Sequence, residues 1–560
     1  MSLREQIYDL IKNTKKNEPL NLKKFKGMGP KSIRLIENVL QEYVQAGILY
    51  TNRLKELFVN HDFKSYEGKV VRVRDHFMFV NVEELDLDIY VRSEDSRGAM
   101  INDQVELWLD TYDSGVIERI IKRGNEEVVG VFYLGKKSFV WPRNDEIRSK
   151  IIISDAKVSC FQDDLVKVRI TSFKDKLEGE VIENYGNINL PGQDILALSL
   201  EHQVPINFSK ENIEYVKENI EQEIVKPNLK GRLDLRNHLI VTIDGDKAKD
   251  FDDAIEVYKN EDGTFTLGVH IADVSPYVVE GNPIDKDAIA RGTSVYLTDR
   301  VIPMLPFELS NGICSLNPNV DRLVQSVLFA IDRDGNIVSS SIHKGVINSK
   351  ARLTYTYVNN VLKTGEIDTS LPKEVNRMIP LLKEVADIIR ERRNSFGSID
   401  LESTELKFKM LDDGTVYDVE KRVQDVGENL IEDLMIQANE IIGYTISNME
   451  KPFVYRIHED PKAKKMDEFK KLSAILGYPS SIDSLNVTPM EIQMHMNGVD
   501  DEKKRDILSS YLLRAMAKAR YSPINKGHFG LALEYYSHYT SPIRRYPDLL
   551  AHRLIDNLKH

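Results

Sequence analysis

Little in this chain suits a membrane, an oxidising compartment or a surface that coats polyanions. No apolar run in the 560 residues is long enough to span a bilayer, and Met1 to Lys16 lacks the continuous hydrophobic stretch of a secretory leader. Only two cysteines occur, Cys160 and Cys314, far apart in the chain. That spacing excludes a disulfide framework and a zinc site built on thiolates, so any metal must be held by oxygen, and a cytoplasmic protein is expected. Positive charge is also short: 76 Lys and Arg against 88 Asp and Glu leave a formal charge of −12, which argues against nucleic-acid binding through bulk electrostatics alone. A polyanion would need a local basic path. Lys12 to Lys31, Lys136-Lys137, Arg390-Glu-Arg-Arg393 and Arg544-Arg545 are the candidates, each of which alone reads equally as a solvated face.

What is present is a globular composition, 41% apolar and 29% charged, at a length that implies about four folding units. The densest chemistry lies in Val241-Thr-Ile-Asp244-Gly-Asp-Lys-Ala-Lys-Asp250-Phe-Asp252-Asp253-Ala254, where carboxylates crowd a turn directly after a β-branched strand. Carboxylates held so close raise one another's pKa, and a hard divalent cation with oxygen ligands offsets that repulsion. Mg²⁺ takes few protein carboxylates and completes its shell with water and substrate phosphate, which points to phosphoryl-transfer chemistry; Mn²⁺ accepts the same octahedral oxygens. A solvated Asp-rich turn is the plain alternative, but β-branched runs flank the loop on both sides. An EF-hand is excluded, because counting from Asp244 its fifth, sixth and twelfth positions hold Ala248, Lys249 and Ile255.

Along the chain, residues 1–60 read as a winged-helix-like module, with helices over Arg4–Asn13 and Pro30–Gln45 and a short hairpin ending at Phe58. Its lysines allow nucleic-acid contact, and protein docking fits as well. Next comes an internal repeat. Gly68-Lys-Val-Val-Arg-Val, Phe77-Met-Phe-Val80, Ile89-Tyr-Val91 and Asp103-Gln-Val-Glu-Leu107 recur in order as Gly130-Val-Phe-Tyr-Leu, Phe139-Val140, Ile151-Ile-Ile153 and Asp164-Leu-Val-Lys-Val168. Two small barrels of the OB-fold or cold-shock kind, over 61–126 and 127–204, account for it, each closed by its Asp-x-Val strand. Phe77, Phe79, Phe139 and Trp141 are candidate platforms for stacking single-stranded bases, although for any one ring the expectation is that it fills a barrel interior. Residues 205–560 mix strands with long helices and are expected to form one large α/β domain. Within it, a helix over Glu428–Tyr444 leaves Glu432 and Asn439 off its apolar stripe. A second helix over Arg505–Tyr521 carries Ile507, Leu508, Tyr511, Leu512 and Ala515 as its stripe, with Arg514 and Lys518 at its edge either as snorkelling cations or facing phosphate.

Together with Val269-His-Ile-Ala-Asp-Val274, Arg291-Gly-Thr-Ser-Val-Tyr296, Pro303-Met-Leu-Pro306, Leu309-Ser-Asn-Gly-Ile-Cys-Ser-Leu-Asn-Pro318, Ala351-Arg-Leu-Thr-Tyr355, Gly527-His-Phe-Gly-Leu-Ala532 and Tyr539-Thr-Ser-Pro-Ile-Arg-Arg-Tyr-Pro-Asp548, the acidic segment resembles the ribonuclease II and ribonuclease R (RNB) exoribonuclease family, in that family's order. The resemblance runs from about Pro205 to the end and more weakly through the barrels. It implies a multidomain α+β protein and a processive, hydrolytic 3′-to-5′ exoribonuclease that acts on single-stranded RNA as a monomer and releases nucleoside 5′-monophosphates. By the same resemblance Asp244, Asp250 and Asp253 would hold Mg²⁺, Asp252 would help bind a second ion and the attacking water, and Arg544 would brace the phosphate. Arg545 would touch substrate or serve as an ion-pair partner, with Arg514 a further candidate for phosphate. Tyr296 matches the tyrosine that stacks on the terminal nucleotide, and Glu432 an acid near the terminal ribose, where accepting from the 2′-hydroxyl favours RNA.

Two departures stand out. Leu401 takes the place of an aromatic that forms the other jaw of the base clamp, which predicts a weaker grip on the last nucleotide. Family members also continue beyond the position matching Leu554 with further helices and another RNA-binding barrel, so the C-terminal part is expected to be incomplete. That gap motivates the alternative of a catalytically weak RNA-binding or RNA-remodelling protein.

Overall fold

The computed structural model describes residues 3–173, 176–221, 224, 227–399, 405–411, 414–422 and 424–558, so the expectation attached to Leu401 lies outside the described residues. The chain divides into two compact units, Met1–Val204 and Pro205–His560.

At the start of the first unit, helices Leu3–Asn13 and Pro30–Gln45 precede a hairpin that pairs Leu49–Thr51 with Leu57–Val59. Pro30 opens its helix, where a missing N–H costs nothing. Ile7, Ile11, Ile36, Val39 and Tyr43 close a core that also takes in Trp108 and Val116 of the first barrel. Charges at this contact are matched inside the protein. Arg4 lies between Glu42 at 2.7 Å and Glu118 at 2.9 Å, and Lys12 is paired with Glu106. Lys12 therefore serves docking rather than a basic path.

The two repeats fold alike. Strands Tyr66–Val73, Phe77–Val82, Leu87–Arg92, Gln104–Leu109 and Gly115–Lys122 build the first, and Glu127–Tyr133, Phe139–Pro142, Ile151–Ala156, Asp164–Phe173 and Leu177–Asn187 the second. Each has one strand beyond the Asp-x-Val strand that the sequence placed last. The second repeat is a closed barrel, sealed where its third and fifth strands pair in parallel. In the first, the corresponding contact is the single bridge Tyr90–Ser114.

The repeated residues have repeated jobs. A Cβ on Gly68 would come within 2.6 Å of a Val80 methyl, and one on Gly130 within 2.4 Å of the Trp141 carbonyl, so only glycine allows the second strand so close. Buried Asp103 and Asp164 each accept the N–H of the residue three before, Met100 at 2.9 Å and Phe161 at 2.8 Å, fixing the turn into the fourth strand.

The rings contradict the interior expectation. Strand alternation points Met78, Val80, Val82 and Val140 inward, which leaves Phe77, Phe79 and Phe139 half-buried on the outer face and Trp141 50% exposed. Phe77 lies 5.3 Å from Tyr90, and Phe139 stacks on Tyr133 at 5.2 Å and 14°.

The second unit is built on a seven-stranded sheet. Its order is Leu233–Asp234, Ile337–Asn348, Asp321–Ile331, Phe265–Ala272, Asp253–Lys259, Val241–Asp244, Ala351–Thr354, antiparallel except for the pair at each edge. Helices Lys373–Ser395 and Val426–Asn448 bury their stripes on one face, against Ile255, Val257, Val269 and Ile271; the other face packs on Met304, Leu305, Leu309 and Ile313. Helices Ala463–Ile475, Pro489–Asn497 and Glu502–Ala515 enclose a smaller core around Met466, Phe469 and Leu508. Among the described residues no helix is long and apolar enough to cross a membrane.

Two sequence expectations change here. The helix expected over Arg505–Tyr521 stops at Ala515, because Met516 turns extended and Arg520–Ser522 pairs with Tyr455–Ile457 ahead of Pro523; sheet pairing overrides helix propensity. Ile507 and Tyr511 are exposed, so the buried stripe is only Leu508, Leu512 and Ala515. The run Arg390-Glu-Arg-Arg393 is not an open basic path either. Arg390 and Arg393 pair with buried Asp433 at 2.8 Å and 3.0 Å, and Arg392 approaches Glu440 at 3.5 Å.

Candidate active site

The acidic loop is positioned by strands on both sides. Val241–Asp244 runs parallel to Ala351–Thr354, which sets Asp244 beside Thr354, and Asp253 begins the strand that pairs antiparallel with Phe265–Ala272. Between them the loop is held by its backbone. Ser315 donates its hydroxyl to the Lys249 carbonyl at 2.7 Å and accepts the Phe251 N–H at 3.0 Å, while Arg352 donates to the carbonyls of Gly245 and Asp246 at 2.9 Å and 2.7 Å. Phe251 anchors the middle in the core, and the Asp252 carbonyl accepts the Ala272 N–H at 2.8 Å. Asp246 is turned aside, accepting from the Thr356 hydroxyl at 2.9 Å.

The remaining four aspartates act on one another. Burial, then the charges of Asp253, Asp252 and Asp250, pushes the Asp244 carboxyl well up. Burial raises Asp253, with Arg544 opposing. Asp252 is only 4% exposed, and burial raises it far above the carboxylate range despite Arg544 and the Ile543 N–H. One oxygen each of Asp244 and Asp252 is buried without a hydrogen-bond partner. Such orphaned, mutually repelling oxygens fit a divalent cation as the missing partner. Among the described residues no three His, Cys, Asp or Glu side chains converge into a ready-made metal cage.

Two further predicted residues join the loop. Tyr296, half-exposed in the short strand Val295–Tyr296, donates its hydroxyl to Asp250 at 2.7 Å. Arg544 sets its Nε 3.6 Å from Asp252, and the neighbouring Ile543 N–H donates to the other Asp252 oxygen at 2.8 Å. The arginine segment is stitched to the one before Tyr296: Ser294 N–H and the Thr293 hydroxyl both donate to the Arg544 carbonyl at 2.9 Å, and Tyr546 N–H donates to Gly292. Gly292, at φ +71°, ends the helix Pro283–Arg291 so that this segment can turn toward the site.

The other candidates lie differently. Arg545 is turned away from the carboxylates onto Asp548 at 2.7 Å. Arg514 is exposed over the ring of Tyr511, 5.7 Å from its centre, beside the smaller helical core rather than the acidic loop. Glu432 is exposed on helix Val426–Asn448, about two turns before Asn439, whose side chain accepts the Tyr539 N–H at 2.9 Å and so ties this helix to the arginine segment. Sequence reasoning did not single out Tyr355, Ser315 or Arg352. Burial, then the charges of Asp253 and Asp244, raises the hydroxyl pKa of half-buried Tyr355. Each sits within a quoted motif, but only the fold shows what it touches.

The RNB domain matches residues 232–560, and a cold shock domain matches 139–209, beginning at the second strand of the second barrel. Ribonuclease R 1 of Lactococcus lactis subsp. lactis is 34% identical over 594 residues, covering 99% of this chain and 71% of that protein. Ribonuclease R of Thermotoga maritima is 37% identical over 550 residues, covering 95% and 76%. Among solved structures, Mycoplasma genitalium RNase R in complex with ribose-methylated single-stranded RNA superposes with a TM-score of 0.82 at 26% identity, over 87% of this chain and 78% of that one. The same protein in complex with double-stranded RNA gives 0.76 at 28%, over 82% and 80%.

Proposed function

The chain belongs to the RNB-domain ribonuclease R family, and we propose that its acidic loop hydrolyses RNA processively from the 3′ end to nucleoside 5′-monophosphates. The protein is a 3′-to-5′ exoribonuclease, and its partner is RNA. The family is metal-dependent; for this chain Asp244, Asp250 and Asp253 would hold Mg²⁺, or Mn²⁺ in its place, and Asp252 would take part in binding a second ion and orienting the attacking water. When bound, the ion supplies positive charge at the scissile phosphate and lowers the pKa of water.

The protein's own groups do the rest. Arg544, already beside Asp252, would donate to the phosphate oxygens as charge builds on them, since a guanidinium fork matches that geometry. Tyr296 would stack its half-exposed ring on the last base while its hydroxyl holds Asp250, so grip on the nucleotide and placement of a carboxylate share one side chain. Glu432 would accept from the terminal 2′-hydroxyl. Arg545 serves as an ion-pair partner. The outward rings on the barrels would stack bases of the incoming strand. A cytoplasmic monomer fits an RNA substrate and two free cysteines.

The observation that carries this reading is the meeting of four electrostatically linked aspartates with Arg544 on Asp252 and Tyr296 on Asp250. Incubation of RNA labelled at either end, with Mg²⁺ and then with EDTA, tests it. Metal-dependent mononucleotide release from the 3′ end is expected. Intact, gel-shifted RNA under both conditions would instead favour the RNA-binding alternative.

A further inference from the structure

Next to Arg544 lies a device that the chemistry above leaves unused. Asp548 is fully buried in the first turn of helix Tyr546–Leu558, where the helix dipole favours a carboxylate. One of its oxygens accepts twice, from the Ser541 backbone N–H at 2.9 Å and from the Arg545 guanidinium at 2.7 Å. Ser541 in turn accepts from the Arg544 guanidinium at 2.9 Å through its hydroxyl. Two residues after Ser541, the Ile543 N–H reaches Asp252 at 2.8 Å. The turn is thus clamped at one end by Asp548 and at the other by Thr293 and Ser294 on the Arg544 carbonyl.

We propose that Asp548, with Arg545 as its counter-ion, is a positioning residue for the hydrolysis: it shapes the Ser541–Arg545 turn so that the Ile543 N–H and the Arg544 guanidinium both meet Asp252. The inference rests on the exoribonuclease reading of the acidic loop. The chemistry requires an anion at this position. A single oxygen takes a backbone donor and a cation together, and a neutral replacement would keep the first while leaving a largely buried guanidinium without its counter-charge. The hydrogen bonds and ion pair of Asp548 go to Ser541 and Arg545, so its effect would pass through the turn to Arg544 and Ile543.

A double-mutant cycle in the full chain tests this. Asp548→Asn should lower kcat by about 10- to 100-fold while leaving KM and RNA affinity within about twofold. In an Arg544→Ala background the same substitution should cost no more than about threefold further, because the turn then has only the Ile543 N–H left to aim at Asp252. Losses that multiply, or a wild-type kcat for Asp548→Asn, would overturn the proposal, as would a loss matched by the unfolded fraction in melting curves. If Asp548→Asn does not fold, Arg545→Lys, which keeps the cation and loses the fork, enters the same cycle with the same expectations. Asp252→Asn run alongside separates the two levels: retained turnover there refutes the acidic-loop reading, whereas an inactive Asp252→Asn with multiplying losses at positions 544 and 548 refutes only the positioning role.

Discussion

At the scale of single residues, the second unit contrasts groups that want a charge supplied with groups that must stay neutral. Asp244, Asp252 and Asp253 belong to the first kind, pushed up by burial. The histidines of the Gly527-to-Tyr539 segment belong to the second. His528 stands edge to face with His458 and Tyr536 at 5.1 Å each, and burial, then the charges of His458 and Arg456, lowers its pKa to about 3; burial with Arg545 and Arg456 lowers His538 to about 2. Unfolded histidine titrates near 6.5, so as pH falls from about 6.5 toward 3 the unfolded chain takes up protons that the folded one refuses. The histidines' own contribution to stability should be flat above that window and fall within it, by up to about 1.4 kcal/mol per pH unit for each, while the raised carboxyls of the acidic loop act in the opposite sense. The urea midpoint of the wild type minus that of a His528→Gln variant, measured at pH 7.5, 6.0 and 5.0, cancels the carboxyl contribution and should decline in that order; a difference that stays the same at all three would contradict the assignment.

At the scale of elements, what the sequence announced was what local chemistry decides. The helix over Pro30–Gln45 appears with the bounds read from its pattern, and the barrels appear as a repeat because Gly68/Gly130 and Asp103/Asp164 solve the same two local problems twice. Gly130→Ala should therefore overpack the second barrel against the Trp141 carbonyl and cost about 1–3 kcal/mol, read as a lower melting temperature with the first barrel's contacts intact. What the sequence hid was decided by distant partners. The end of helix Glu502–Ala515 depends on a strand around Tyr455–Ile457, and the outward facing of Phe77, Phe79, Phe139 and Trp141 follows only once the register of each strand is known. Of the two tryptophans Trp108 is buried and Trp141 half-exposed, so single-stranded RNA stacking on the second barrel should quench Trp141 emission, and Trp141→Ala should weaken binding by about 1–3 kcal/mol with kcat unchanged. Unquenched emission at saturating RNA would remove this face from the path.

At the scale of the whole molecule, the chain separates surfaces suited to holding RNA, in Met1–Val204, from chemistry in Pro205–His560. The candidate site was legible in outline because Asp244 to Asp253 are contiguous, and contiguous carboxylates announce their own repulsion. Its support was not legible, since Ser315 reaches Phe251 from 64 positions away and Ile543 reaches Asp252 from 291. The Arg390–Arg393 run shows the reverse error, cations whose partners only the fold reveals. The division between holding and cutting yields the most direct test of the account, a comparison of wild type and Asp252→Asn on the same 3′-labelled single-stranded RNA in Mg²⁺. RNA affinity within about twofold of wild type together with a loss of mononucleotide release of at least about 10³-fold is the expected result. Mononucleotide release by Asp252→Asn at a rate near that of wild type would contradict it.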